Sequence, residues 1–101
     1  MNRNEYLLTQ AASECNEVAH RITKALHFGV VERQPGQDLS NAERVVDEYI
    51  DLMATMEMLE EAGLVKVPKG AEYEARVAAK KAKVEKFIVY AREQCGTVSG
   101  P

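Results

Sequence analysis

Apolar and polar positions along this chain alternate with the 3.6-residue period of an α-helix in three long segments, and none has the two-residue period typical of a strand. The pattern predicts an all-α fold of three long helices. The first helix is expected to have Asn2 or Asn4 as its N-cap and to run to about Phe28, where Gly29 ends it. Its predicted buried face consists of Leu8, Ala11, Ala12, Cys15, Ala19, Ile22 and Leu26.

The second predicted helix has a clearly signalled start. A loop broken by Pro35 and Gly36 leads to a capping box in which Ser40 caps the helix and Glu43 reaches back. The helix is expected to stop at Gly63, with a Schellman-type contact from the next residue, Leu64. Its predicted apolar stripe consists of Val45, Tyr49, Leu52, Met53, Met56 and Leu59.

The third predicted helix covers roughly residues 71–95 and is capped by Gly96. Its apolar residues recur at heptad-like intervals. They are Tyr73, Val77, Val84, Ile88, Ala91 and Cys95. We expect residues 1–96 to form one domain and residues 97–101 to form a flexible tail.

Chain length limits the core that one copy can build. The chain has 101 residues, of which 46% are hydrophobic and 29% charged, as expected for one compact domain. A short helical chain with apolar stripes as wide as that around Tyr49, Met53 and Met56 often completes its core by self-association. The prediction is an antiparallel helical bundle completed by homo-oligomerisation, as a dimer or a larger assembly.

Charge and hydropathy limit the partners and the cellular compartment that we expect for this protein. A net charge of −3 gives no basic excess for binding nucleic acid, so no nucleic-acid partner is expected. Charged side chains throughout the first thirty residues argue against a signal peptide, and no apolar run approaches the ~18 residues of a membrane span. These features predict a cytoplasmic protein without membrane contact. Cys15 and Cys95 have no metal-ligand spacing and are expected to be reduced thiols in or near the core.

Two pairs of carboxylates have the same spacing on the first two helices. Glu14 and Glu17 form one pair, and Glu48 and Asp51 form the other; each pair shares a helix face at the border of the apolar stripe. If the two helices pack antiparallel, the four carboxylates can face one another at the seam. Converging carboxylates repel unless a cation neutralises them, and ligation by oxygen alone suits Mg²⁺ or Mn²⁺.

The pattern E-x-x-E followed by E-x-x-D resembles the signature of the MazG-like superfamily of all-α nucleoside triphosphate pyrophosphohydrolases. The surrounding segments "KALHFG" and "NAERVVDEYIDLMATMEML" are also similar to the first two helices of that superfamily. The resemblance covers about residues 5–62. It implies metal-dependent hydrolysis of a (deoxy)nucleoside triphosphate to a monophosphate and pyrophosphate. The carboxylates would hold the metal, and Glu14 or Glu17 would help to activate water, with the choice between them open.

Three further residues are candidates for contacts with the nucleotide. Lys24 lies two turns beyond Glu17 on nearly the same face and could meet a phosphate. Asn41 and Arg44 lie in the first turn of the second helix, where free amide groups favour an anion. Another cationic group, Lys80, Lys83 and Lys86 on the third helix, is interpreted as a solvated stripe.

Two alternatives to the hydrolase remain open. Glu17 and His20 form the E-x-x-H motif of di-iron carboxylate bundles, which a dimer would supply twice. The other alternative is a non-catalytic helical interaction protein whose acidic pairs are solvated. Nucleotide turnover would support the hydrolase, and oxidation of ferrous iron would support the di-iron protein. The absence of both activities would support the interaction protein.

Overall fold

The computed structural model describes residues 1–100, and all of its regular structure within that range is helical. Helix α1 comprises Arg3–Phe28, α2 comprises Asn41–Glu61 and α3 comprises Gly70–Tyr90. A short π-helix, Ala91–Cys95, continues α3. Three long helices without a strand in the described range confirm the all-α prediction. Pro101, the last residue of the predicted tail, lies outside the described residues.

Capping boxes begin the first two helices. At α1 the Asn2 side chain accepts a hydrogen bond from the backbone N–H of Glu5 at 2.8 Å, so Asn2 rather than Asn4 is the cap. At α2 the predicted box is confirmed: the hydroxyl of Ser40 accepts from the Glu43 N–H at 3.2 Å, and the Glu43 carboxylate accepts from the Ser40 N–H at 3.0 Å. Each box satisfies amide groups that the first turn leaves without an intrahelical partner.

The end of α2 forms the predicted Schellman motif. The N–H of Leu64 donates to the carbonyl of Leu59 at 3.0 Å, and the N–H of Gly63 donates to Glu60 at 2.9 Å. This arrangement requires a left-handed residue, and Gly63 has φ 74°. Gly96 has the same role after the π-helix, with φ 65°.

The chain divides into two compact units, of which the first is Met1–Lys66 and the second begins at Val67. The first unit is an antiparallel hairpin of α1 and α2. Leu7 near the start of α1 packs with Leu59 near the end of α2, whereas the last turn of α1 meets the first turn of α2. The hairpin core is small: Leu7, Ala11 and Leu59 are buried, and Met56, Met58 and Val65 pack against them.

The predicted buried face of α1 was largely wrong. Of its seven residues only Ala11 is buried, and Ile22 and Leu26 are 52% and 81% exposed. The buried stripe is instead Leu7, Ala11 and Ala25, displaced around the helix toward the carboxylates. On α2, Leu59 is buried as expected, but Tyr49 and Met53 are exposed. Cys15 and Cys95 are free as predicted, yet both are exposed rather than in the core.

The second unit contains α3 and the π-helix, and none of their residues is buried. The chain turns back after Gly96, where the N–H of Thr97 donates to the carbonyl of Ala91 at 3.1 Å. Val98 is half-buried and lines an open cavity of about 370 Å³ together with Phe87 and Ile88. In this part of the predicted tail, at least Thr97 and Val98 therefore contact the helix.

Asn41 closes the loop between α1 and α2. Its side chain is 2% exposed, and its amide donates to the carbonyl of Gly29 at 2.8 Å and to the carboxylate of Glu32 at 3.2 Å. The backbone N–H groups of Asn41 and Ala42 donate to the carbonyls of Glu32 and Val30. Four hydrogen bonds thus join the end of α1 and the loop after it to the first turn of α2.

Among the described residues, no helix combines the length and apolar character needed to cross a bilayer.

Candidate metal centre

Three carboxylates from two helices converge at the middle of the hairpin. Glu14 of α1 and Glu48 and Asp51 of α2 each offer an oxygen that lies within 4.8 Å of the other two. Glu14 and Glu48 are half-buried, whereas Asp51 is exposed. The antiparallel packing of α1 and α2 therefore brings Glu14 close to Glu48 and Asp51, which follow it by 34 and 37 positions in the chain.

The three carboxylates belong to two polar stripes that follow heptad spacing. At about 100° per residue, steps of four and three keep side chains on one face of a helix. The stripe on α1 consists of Gln10, Glu14, Glu17, Arg21 and Lys24, and the stripe on α2 consists of Arg44, Glu48, Asp51 and Thr55. Because the helices are antiparallel, the acidic centres of the stripes meet, and their basic residues meet nearer the loop.

Gln10 holds Glu14 in place. The Gln10 side-chain amide donates to Glu14 Oε1 at 3.0 Å across one helical turn. The bond restricts the rotamers of the Glu14 side chain and leaves its other carboxylate oxygen able to accept a further contact. Sequence reasoning missed Gln10, although its position four residues before Glu14 was a usable signal.

The pKa of the Glu48 carboxyl is raised above its ordinary value. Partial burial is the main cause, followed by the negative charges of Asp51, Glu17 and Glu14; the Arg21 guanidinium acts in the opposite direction. The repulsion expected among these carboxylates therefore contributes to the raised pKa of Glu48. A bound cation would favour the ionised form and reverse this shift.

The donor set fits a small divalent cation. All three ligands are carboxylate oxygens, which Mg²⁺ and Mn²⁺ prefer. Oxygens opposite each other around Mg²⁺ at 2.0–2.1 Å lie about 4.2 Å apart. Adjacent oxygens lie about 2.9 Å apart, and at most two of three ligands can be opposite each other. Oxygens of Glu14, Glu48 and Asp51 that lie within 4.8 Å of one another would therefore move closer, by up to about 2 Å, to share one ion.

Glu17 and His20 lie outside this group. Within the described residues, the group able to hold a metal includes neither of them. Glu17 is exposed, and its charge contributes to the raised pKa of Glu48. His20 is also exposed. The E-x-x-H pair of the di-iron alternative therefore gains no support from the packing of α1 and α2.

Basic side chains lie beside the carboxylates, toward the loop. Arg21 and Arg44 are both half-buried and occupy the next positions of the two polar stripes. Lys24 is half-buried, and its Nζ lies 5.6 Å from the centroid of the Phe28 ring. Arg21 was not identified from the sequence, although it lies seven residues after Glu14 on the same face.

Asn41, predicted to contact the nucleotide, has its amide turned to the loop. Both of its observed hydrogen bonds go to protein acceptors, Gly29 and Glu32. Its role in substrate binding remains a prediction, and its observed role is to close the hairpin.

Comparisons with protein-family models, with curated proteins and with solved structures find no match to this chain.

Proposed function

We propose that this protein is a metal-dependent hydrolase that converts a (deoxy)nucleoside triphosphate to a monophosphate and pyrophosphate, with Mg²⁺ or Mn²⁺ as cofactor. One observation carries the proposal: Glu14, Glu48 and Asp51 bring three carboxylate oxygens within 4.8 Å of one another across two helices. The motif resemblance supplies the reaction type, and the expected compartment is the cytoplasm.

Glu14, Glu48 and Asp51 would hold the cation. When bound, a divalent cation neutralises the charge of the polyphosphate and polarises the phosphoryl group under attack. Gln10 would keep Glu14 in its ligating rotamer through the 3.0 Å hydrogen bond. Such outer contacts orient ligands and increase metal affinity.

Glu17 is the favoured proton acceptor for the attacking water. It lies one turn from Glu14 and close enough to affect the ionisation of Glu48, yet it is not in the ligand group. A carboxylate that does not bind the metal retains its basicity and can accept a proton.

Arg21, Arg44 and Lys24 would bind the phosphate oxygens that the cation does not reach. Arginine can pair with two phosphate oxygens at once, and lysine supplies a mobile point charge. Their position beside the acidic centre gives a polyphosphate a cation at one end and basic side chains at the other.

The test is release of pyrophosphate from a panel of canonical and modified nucleoside triphosphates with Mg²⁺. Identification of the nucleotide product as a monophosphate distinguishes cleavage between the α and β phosphates from loss of the γ phosphate. Chelation of the metal should stop the reaction. Glu72→Gln, which removes a carboxylate from α3, is the matched control and should retain full activity. Absence of turnover across the panel would contradict the proposal.

A further inference from the structure

The chain reversal after Gly96 forms a cavity against the last turns of α3. The N–H of Thr97 donates to the carbonyl of Ala91 at 3.1 Å, and this bond directs Val98 back along the helix. The open cavity between them has a volume of about 370 Å³. Its apolar wall consists of Val84, Phe87, Ile88, Ala91 and Val98.

Two lysines lie at one end of this cavity. Lys80 and Lys83 both line it, and the apolar wall begins at the next residue, Val84. Oppositely charged side chains meet along a helix when they are three or four positions apart. No Asp or Glu lies three or four positions from Lys80 or from Lys83. Neither positive charge is therefore neutralised by a neighbour along α3.

A second cavity, on the other side of Lys80, gives an internal comparison. It has a volume of about 260 Å³, and its lining includes Tyr73, Arg76 and Lys80 but not Lys83. Arg76 follows Glu72 by four positions, a spacing at which opposite charges attract on a helix. Only the larger cavity thus combines an apolar wall with two lysines that have no acidic neighbour along the helix.

The lining of the larger cavity indicates the chemistry of a ligand. Sites for small molecules have volumes of about 300–1,000 Å³ and are mostly apolar, with a few polar groups that fix the orientation of the ligand. Two lysines suit an anionic group such as a carboxylate, and the apolar wall suits a hydrocarbon. The helix rises by about 16 Å from Lys80 to Ala91, so the site is long and narrow. These properties match a single chain with one charged end.

We propose that this cavity binds a single-chain amphipathic anion, a free medium-chain fatty acid. Its carboxylate lies at Lys80 and Lys83, and its hydrocarbon chain lies along Phe87 toward Val98. Binding removes apolar surface from water, since Phe87 is 53% exposed. The site lies within the second unit, and the inference does not depend on the proposed hydrolase activity.

The first experiment is isothermal titration calorimetry of the full chain with decanoate below its micelle concentration. Decanoate should bind with a Kd below about 1 mM. Octanoate should bind more weakly, by up to about fourfold for each CH₂ removed. Decanol, which has the same chain without the charge, and butyrate, which has the charge without the chain, should both bind more weakly than decanoate. Absence of decanoate binding, or equal binding of decanol, would overturn the proposal.

The second experiment locates the site with two matched pairs of variants. Lys83→Gln should weaken decanoate binding about three- to fivefold, whereas Lys86→Gln, at a lysine outside the cavity lining, should not. Phe87→Ala should weaken binding at least about threefold, whereas Tyr73→Ala, which removes an aromatic ring from the smaller cavity, should not. Circular dichroism should give the helical content of the wild type for all four variants. Equal effects within the lysine pair would overturn the proposal even if Phe87→Ala fails to fold.

Two other occupants of the cavity are distinguished by further measurements. Sedimentation equilibrium combined with the decanoate titration tests for a second copy: a stable oligomer that binds no decanoate would overturn the proposal. Flotation with vesicles that contain anionic lipid tests for a membrane surface. Binding to such vesicles without binding to free decanoate would also overturn it.

Discussion

The two sides of the α1–α2 hairpin differ in what would stabilise them. The polar side concentrates like charge around Glu48, whose pKa is raised by partial burial and by neighbouring carboxylates. The other side exposes large apolar side chains such as Leu26, which is 81% exposed. A bound cation would lower the repulsion on the first side, and contact with another apolar surface would remove the second from water. The two sides of one pair of helices therefore differ in kind: one brings together carboxylates, and the other exposes apolar side chains.

The largest expected effect is loss of activity on the polar side. Glu48→Gln or Asp51→Asn should reduce metal-dependent hydrolysis by about 10²–10³-fold, because each substitution deletes a ligand while preserving side-chain size. Rates of pyrophosphate release measure the effect. Near wild-type turnover in either variant would show that the carboxylates are only surface charges.

Truncation of a side chain in the hairpin core should lower the stability of the hairpin as a whole, because this core lies between its two sides. Leu59 is 3% exposed and packs with Leu7 and Ala11, so Leu59→Ala should lower the free energy of unfolding by about 2–5 kcal/mol. Val31→Ala, at a loop residue that is 85% exposed, is the control and should change it by less than about 0.5 kcal/mol. Urea unfolding measures both. Similar changes in the free energy of unfolding for Leu59→Ala and Val31→Ala would mean that the hairpin core lies elsewhere.

A smaller effect is expected at the basic end of the polar stripes. Arg21→Gln should raise the KM for the nucleotide about tenfold, since a hydrogen-bonded charge is removed from the proposed phosphate contact. The same change removes the one group that lowers the pKa of Glu48. Arg3→Gln, at the start of α1, is the matched control. An unchanged KM would remove Arg21 from the phosphate site.

The smallest effect concerns pH and stability in the absence of metal. Below the ordinary glutamate pKa of 4.5, wild type and Glu48→Gln should have equal stability relative to their unfolded states. As the pH rises through the raised pKa of folded Glu48, the wild type loses stability because the half-buried carboxyl must ionise, and the uncharged variant does not. Urea unfolding in the presence of a chelator across this pH range should show that the free energy of unfolding of the variant rises relative to that of the wild type. Added Mg²⁺ should reverse the order, and a constant difference at all pH values would contradict the assignment.

Local signals in the sequence predicted the helices well. The Ser40–Glu43 box and the Gly63–Leu64 ending depend on residues within six positions of each other, and both are confirmed. The alternation of apolar residues also located α3, although the change to a π-helix at Ala91 left no visible signal. Hydrogen bonds of this kind are determined within one turn, so sequence alone suffices to predict them.

The burial of α1 could not be predicted in the same way. Its apolar arc extends from Leu7 through Ala11 to Leu8 and Leu26, and it is wider than one neighbouring helix can cover. Periodicity identifies all the apolar residues of the arc. Which of them are buried depends on the helices that pack against α1. The same limitation applies to the site: the spacing of the carboxylates was visible, but which of them approach within 4.8 Å of one another depends on the rotation of α1 against α2.

The buried amide of Asn41 contributes to the axial register of the hairpin. Its bonds to Gly29 and Glu32 fix where the first turn of α2 lies against the last turn of α1. A slip of one turn would move the helices by about 5.4 Å along their axes. This distance is larger than the 4.8 Å within which the oxygens of Glu14, Glu48 and Asp51 lie. The convergence of the three carboxylates in the middle of the hairpin thus depends partly on one side chain at its end.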